Sequence, residues 1–209
     1  MPDMSKILIV DYGMGNTDSV SRAVAECGGN PIVSNRREEL ETATHIILPG
    51  VGSYHVAMTN LRKLNLIELI QEQVRSHKIP FLGLCLGMQL LSSRGYEVRE
   101  TDGLDLIPGE VNAFKAAELG LRVPHVGWNE VNFKRDCSLF EGIPSGKDYY
   151  FVHSYYFSCQ KKEHVLATTF YGREFAAVIG NNENVFGTQF HPEKSLKAGL
   201  KLLANFLSS

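Results

Sequence analysis

Three features of this 209-residue sequence predict an α/β protein. The expected architecture is a single domain with a mostly parallel sheet, helices on both faces, and a mixed, partly antiparallel β extension in the C-terminal half. The first feature is an alternation, up to about residue 95, of short apolar runs with segments of helical period, the pattern of strands covered on both sides by crossover helices. The second is a change of texture after Gly95, where period-two and apolar runs separated by turns take over. The third is Gly83-Leu84-Cys85-Leu86-Gly87, a glycine-flanked cysteine between an apolar strand and an apolar-faced helix.

Taken in order, Lys6 to Val10 is a strand of buried type. Val20, Ala23, Val24 and Cys27 then fall on one helical face, stopped by Gly28-Gly29. Pro31 to Val33 is a second strand, Arg37 to Leu40 a short helix, and Thr44 to Leu48 a third strand that ends in Pro49-Gly50-Val51-Gly52-Ser53. Helices follow over Tyr54 to Leu61 and Leu66 to His77, then a strand within Ile79 to Leu84 and a helix starting near Met88. The β half comprises Glu110–Phe114, Gly127–Phe133, Tyr149–Phe157, Val165–Phe170, Phe175–Ile179 and Val185–Phe190. The last helix, Ser195 to Leu207, repeats Leu196, Leu200, Leu203, Ala204 and Leu207 at helical spacing, with Ser195 expected as its N-cap.

Composition narrows the function classes. The net charge is −2, from 21 basic and 23 acidic residues without a long run of either sign, which argues against a nucleic-acid or membrane surface. The opening residues lack a basic segment followed by an apolar one, and no apolar run could span a bilayer, so a cytoplasmic protein is expected. Cys27, Cys85, Cys137 and Cys159 are widely spaced and form no Cys-x-x-Cys pair, so neither a metal site nor a disulfide framework is expected. The Gly13-Met14-Gly15 loop lacks the third glycine of a dinucleotide fingerprint, and no cofactor is expected.

The chemistry centres on Cys85. A sharp strand-to-helix turn holds a nucleophile in a strained conformation, and side chains two residues to either side would clash, which favours Gly83 and Gly87. The helix start also favours a thiolate. Such a nucleophile needs a base and a group to orient that base. Of seven histidines, His45 lies in an apolar strand, His55 and His77 on helices, His164 in a solvated loop, and His125 and His153 on β segments. His191 ends the run Val185–Phe190 and is followed by Pro192-Glu193. With Pro192 keeping the backbone extended, residues 191 and 193 would project to one side, and Glu193 would orient the imidazole. The N–H of Leu86 is one oxyanion donor, and the Pro49-Gly50-Val51-Gly52 turn can present a second.

Gly83-Leu84-Cys85-Leu86-Gly87-Met88-Gln89 and Phe190-His191-Pro192-Glu193-Lys194-Ser195 resemble the motifs of the class I, or triad, glutamine amidotransferases. Four further stretches are similar to one branch, the glutaminase subunits of imidazole glycerol phosphate synthase. They are Val10–Asn16, Leu48–Gly52, Pro124–Asn129 and Tyr150–Tyr155. The resemblance covers nearly the whole chain, so residues 1–209 read as one amidotransferase domain. It implies a triad of Cys85, His191 and Glu193, with Gly50, Val51 and Leu86 binding the oxyanion. It also implies L-glutamine as the small-molecule substrate, with Gly52, Gln89, Ser154 and Tyr155 lining its pocket. The implied partner is a (β/α)8-barrel cyclase subunit, met as a heterodimer through Asp11–Asn16 and Trp128. Ammonia passed to that barrel would yield imidazole glycerol phosphate and aminoimidazole carboxamide ribotide in histidine biosynthesis.

The chain departs from the family after the elbow helix. A usual acidic stretch is replaced by Ser92-Ser93-Arg94-Gly95-Tyr96-Glu97, in which Glu97 is the candidate grip for the substrate α-amino group. That departure keeps open an ammonia-supplying paralogue serving a related barrel with another product. A stand-alone γ-glutamyl hydrolase shares elbow and triad. A non-catalytic scaffold would not need Cys85, His191 and Glu193 intact.

Overall fold

The computed structural model describes residues 5–115 and 120–209. The parallel half of its main sheet is built from β1 (Lys6–Val10), β2 (Asn30–Ser34), β3 (His45–Leu48) and β4 (Phe81–Leu84). The helices of this half are α1 (Thr17–Glu26), α2 (Arg37–Glu41), α3 (Tyr54–Lys63), α4 (Ile67–Arg75) and the short α5 (Leu86–Gln89). The strands β5 (Arg94–Gly95), β6 (Thr101–Asp102), β7 (Gly109–Ala113), β8 (His125–Phe133) and β9 (Lys147–His153) follow. Next come β10 (Tyr155–Cys159), β11 (Val165–Phe170), β12 (Glu174–Gly180) and β13 (Val185–Thr188), and the chain closes with α6 (Leu196–Leu207).

Among the described residues the main sheet runs β2-β1-β3-β4-β13-β12-β11-β8-β9. Pairing is parallel from β2 through β13 and antiparallel from there to β9. The expected β extension is therefore a direct continuation of the parallel sheet. A second sheet, β10-β7-β5-β6, stands apart from it. The alternation of side chains along each strand separates two cores. Leu8, Val10, Ile46 and Leu48 face α3 and α4, whereas Ile7, Ile9 and Ile47 face α1 and α6. Among the described residues no helix is long and apolar enough to cross a membrane.

Several expectations are corrected. Tyr149–Phe157 is two strands in different sheets, broken at Ser154, because the chain leaves the edge of the main sheet there. The short pairs β5 and β6 have too few residues to show a period. His77 lies beyond α4, and His164 is buried in a 3₁₀ turn, not solvated. Ser195 occupies the N-cap position of α6, but its side chain caps nothing. Its hydroxyl donates instead to the His191 carbonyl at 2.6 Å and accepts the Tyr150 N–H at 3.0 Å.

The far end of α6 is pinned by Asn205, whose buried amide donates to the carbonyls of Leu139 (2.9 Å) and Glu141 (2.8 Å). Asn205→Ala leaves both acceptors unpaired and should cost about 2 kcal/mol of unfolding free energy. Denaturant titration measures that loss, and an unchanged midpoint would refute the role given to this amide.

Candidate functional site

Strand ends of the parallel half build the site. β3 ends at Leu48 and delivers Gly50, β4 ends at Leu84 and delivers Cys85, and β13 ends three residues before His191. This is the carboxyl edge where such sheets bind ligands. Cys85 sits at φ +53°, ψ −106°, the strained conformation expected of an elbow. The need for flanking glycines is steric. A Cβ on Gly87 would lie 1.8 Å from the Leu48 carbonyl oxygen, and one on Gly83 would lie 2.5 Å from that of Gly87.

The Cys85 thiol is 5 % exposed and its sulfur lies 3.6 Å from the Val152 carbonyl. The His191 ring lies close enough to Cys85 to interact with it electrostatically, with its Nε2 free of any other partner among the described residues, and its Nδ1 is 2.8 Å from Glu193 Oε1. Cys85, His191 and Glu193 are thus brought together as expected, but by different local geometry. Residues Pro192–Lys194 form a 3₁₀ turn, so Glu193 curls back to the imidazole instead of lying beside it in extended chain. Ser195 fixes the His191 backbone through the two bonds described above. Burial opposes the charged imidazole, but the interactions with Cys85 and with Glu193, the latter a hydrogen bond, outweigh it and raise His191 to about 10.

A cavity of about 320 Å³ opens beside Cys85. Val51, Gly52, Leu86, Gln89, Glu97, Ser154 and Tyr155 all line it, so every residue expected at the pocket is there, joined by Pro124, Val152 and His153. Gln89 is held from behind, its Nε2 donating to the Tyr155 carbonyl (2.9 Å) and to Gln189 Oε1 (3.1 Å). Glu97 accepts the Tyr54 N–H through Oε2 at 2.6 Å, at the first residue of α3.

The Pro49–Gly52 turn, expected to supply an oxyanion donor, turns a carbonyl toward Leu86. The Leu86 N–H donates to the Gly50 carbonyl at 3.3 Å, so a peptide oxygen faces the position where an N–H donor is expected. Tyr12 braces this turn from below, its buried hydroxyl donating to the Pro49 carbonyl at 2.8 Å, and Asn60 donates to the Tyr12 carbonyl at 3.1 Å. Tyr12, Gln189 and Ser195 were not expected at the site. Tyr12 lies within the Val10–Asn16 motif, whereas Gln189 is marked only by being a polar residue in an apolar run. Trp128, 46 % exposed, packs edge-on against Tyr150 with ring centres 5.9 Å apart.

An elbow cysteine served by an imidazole that a carboxylate orients is the arrangement of a triad amidohydrolase. Comparison with known proteins narrows the class. The chain belongs to the glutamine amidotransferase class-I family, whose model matches residues 8–209, and within it to the HisH subunits of imidazole glycerol phosphate synthase. The HisH subunit of Moorella thermoacetica is 49% identical over 97% of this chain and 94% of its own length. That of Methanosarcina mazei is 49% identical over 98% of both chains. Solved structures share the fold at lower identity. One described as a glutamine amidotransferase aligns over 96% of this chain and 97% of its own (TM-score 0.75, 19% identity). PurLQS from Thermotoga maritima aligns over 98% of both (TM-score 0.75, 16% identity).

The charged state of His191 has a consequence for stability. Its folded value is raised above the ordinary 6.5, so its contribution is complete below pH 6.5 and is lost as pH rises through about 10. Glu193→Gln removes one of the groups that favour the charge. The fall in unfolding free energy between pH 6.5 and 10 should be shallower in that variant, measured by denaturant titration, and parallel curves would contradict the assignment.

Proposed function

We propose that this chain is the glutaminase subunit of an imidazole glycerol phosphate synthase. It would hydrolyse L-glutamine to glutamate and ammonia and deliver the ammonia to a separate (β/α)8-barrel cyclase subunit. The observation that carries the reading is Cys85 at the wall of a cavity that Gln89, Glu97, Ser154 and Tyr155 line, with the Glu193-bonded His191 imidazole beside it.

In this reading His191 already carries the proton, and the Cys85 thiolate attacks the side-chain amide carbon of glutamine. The tetrahedral intermediate collapses as His191 returns a proton to the departing ammonia, leaving a thioester on Cys85. His191 then takes a proton from water, the hydroxide attacks the thioester, and glutamate leaves as the Cys85 thiolate and the protonated His191 are restored. Glu193 holds the ring in orientation and stabilises its charge. Glu97, with one oxygen committed to the Tyr54 N–H, offers the other to the substrate α-ammonium group. Residues 1–209 act as one unit in this scheme.

The oxyanion needs Leu86 N–H and a second donor, for which the Val51 N–H is the candidate after the Gly50–Val51 peptide turns over. A Cβ on Gly50 would stand 2.7 Å from the Tyr12 hydroxyl and 2.8 Å from Leu86 Cβ, so the space for that motion exists only with glycine here. Absence of one oxyanion donor costs roughly 10²–10³ in rate. Val51, 43 % exposed, and the Asp11–Asn16 loop, which touches the turn through Tyr12 and Pro49, belong to the proposed partner-facing side together with Trp128. A partner that prefers the turned-over peptide would activate the glutaminase only when an acceptor is at hand.

Cys85→Ala should abolish synthesis of imidazole glycerol phosphate from glutamine while leaving synthesis from ammonium salts by the two-subunit complex intact. Steady-state assays with each nitrogen source make the comparison. Loss of ammonia-dependent turnover as well would break the division of labour, and full retention of glutamine-dependent turnover would remove Cys85 as nucleophile.

A further inference from the structure

The proposed reaction uses one buried histidine, yet the site contains a second. His153 ends β9 at the cavity wall, and it is bonded on both ring nitrogens. Its Nδ1 lies 2.8 Å from the Tyr155 carbonyl, and its Nε2 lies 3.0 Å from His125 Nδ1. The Tyr155 carbonyl can only accept, so His153 Nδ1 carries the proton. Nε2 of the neutral ring is then an acceptor, and His125 Nδ1 must donate to it. The tautomers of both rings follow from one peptide oxygen.

The neighbours favour the neutral forms. His125 and His153 are register partners across β8 and β9, and their rings sit among Phe114, Phe151, Tyr171 and Phe175. Burial lowers both imidazoles, His153 to about 3. A ring that stays uncharged can keep one donor and one acceptor in fixed places, whereas a second imidazolium beside His191 would repel it.

What this ring holds is the break between sheets. β9 is the edge of the main sheet, β10 belongs to the smaller one, and Ser154 is the single residue between them. Ser154 and Tyr155 both line the cavity. The Ser154 carbonyl is tied to the Phe114 N–H (2.8 Å), and the Tyr155 carbonyl receives both His153 Nδ1 and Gln89 Nε2. Without the imidazole donor, only Gln89 would fix the Tyr155 peptide on the cavity side.

We propose that His153 is a positioning residue, whose Nδ1–H, with the tautomer set by His125, locks the Ser154–Tyr155 backbone in the form that grips the substrate. This rests on the glutaminase reading and adds to it a residue that acts through Tyr155 without touching the reacting atoms.

Two amide substitutions separate the ring nitrogens. Asparagine places an N–H near the Nδ1 position and retains the bond to Tyr155, whereas glutamine places its amide near Nε2 and does not. The full chain is treated with a glutamine-mimicking electrophile at increasing concentration, and Cys85 modification is followed by mass spectrometry. Iodoacetamide, which needs no substrate pocket, serves as the control. His153→Gln should raise the half-saturating concentration of the mimic about tenfold, the effect expected of one lost hydrogen bond, with its maximal rate and the iodoacetamide rate unchanged. His153→Asn should stay within about threefold of the parent, as expected where that bond is kept. Equal half-saturation for the two variants, or a loss in maximal rate alone, overturns the proposal. A parent chain that iodoacetamide modifies and the mimic does not would overturn the glutaminase reading itself.

Discussion

The site depends on the close approach of the elbow helix to the end of β3. Gly87 rests against the Leu48 carbonyl with no room for a side chain, and that contact decides much else. It allows the chain to turn sharply enough for Cys85 to stand at positive φ with its sulfur on the cavity. It also brings the Leu86 N–H within reach of the next peptide along, Gly50. Cys85 and the Gly50–Val51 turn are therefore neighbours by construction. The Cys85 conformation, costly by itself, is held because strands on both sides of β4 pair with it.

Two imidazoles near this point have opposite states for physical reasons that their surroundings supply. His191 is buried, but its interactions with Cys85 and Glu193 overcome the burial and favour the charged ring. His153 is also buried, with a second imidazole and aromatic rings about it, and its bond to the Tyr155 carbonyl does not make up the loss of hydration. A ring that favours its charged form and a ring that stays neutral are thus distinguished by partners and not by depth. The Gly50–Val51 turn, proposed as the oxyanion site, adds a third element. Its brace, Tyr12, belongs to the loop that the proposed partner would meet, so a partner can influence the donor without entering the cavity.

Much of this was legible in the sequence because the signals are local. The strand-turn-helix at Cys85 needs glycines at fixed offsets, and the strands of the parallel half announce themselves by continuous apolar runs. The pairing of His191 with Glu193 was also legible, although for the wrong geometric reason: the turn at Pro192–Lys194 is helical and not extended. The rest required three dimensions. Tyr149–Phe157 reads as one apolar stretch, and only the layout of two sheets reveals that Ser154 divides it. Ser195 resembles a helix cap because its sequence context fits one, but a carbonyl and an N–H from elsewhere in the chain compete for its hydroxyl and win. The orientation of the Gly50–Val51 peptide has no sequence signature, since the same glycine permits both states.

Coupling between glutaminase and partner rests most directly on that peptide. With its oxygen facing Leu86, the isolated chain would, in the proposed reaction, lack a donor worth roughly 10²–10³ in rate. The decisive measurement is steady-state glutaminase activity of the purified chain alone, then with a cyclase partner, then with cyclase and an acceptor analogue. A rise of about a hundredfold or more on completing the complex is the result predicted for recovery of that donor. Full activity in the lone chain, unmoved by partner or analogue, would contradict this coupling and favour a self-sufficient γ-glutamyl hydrolase.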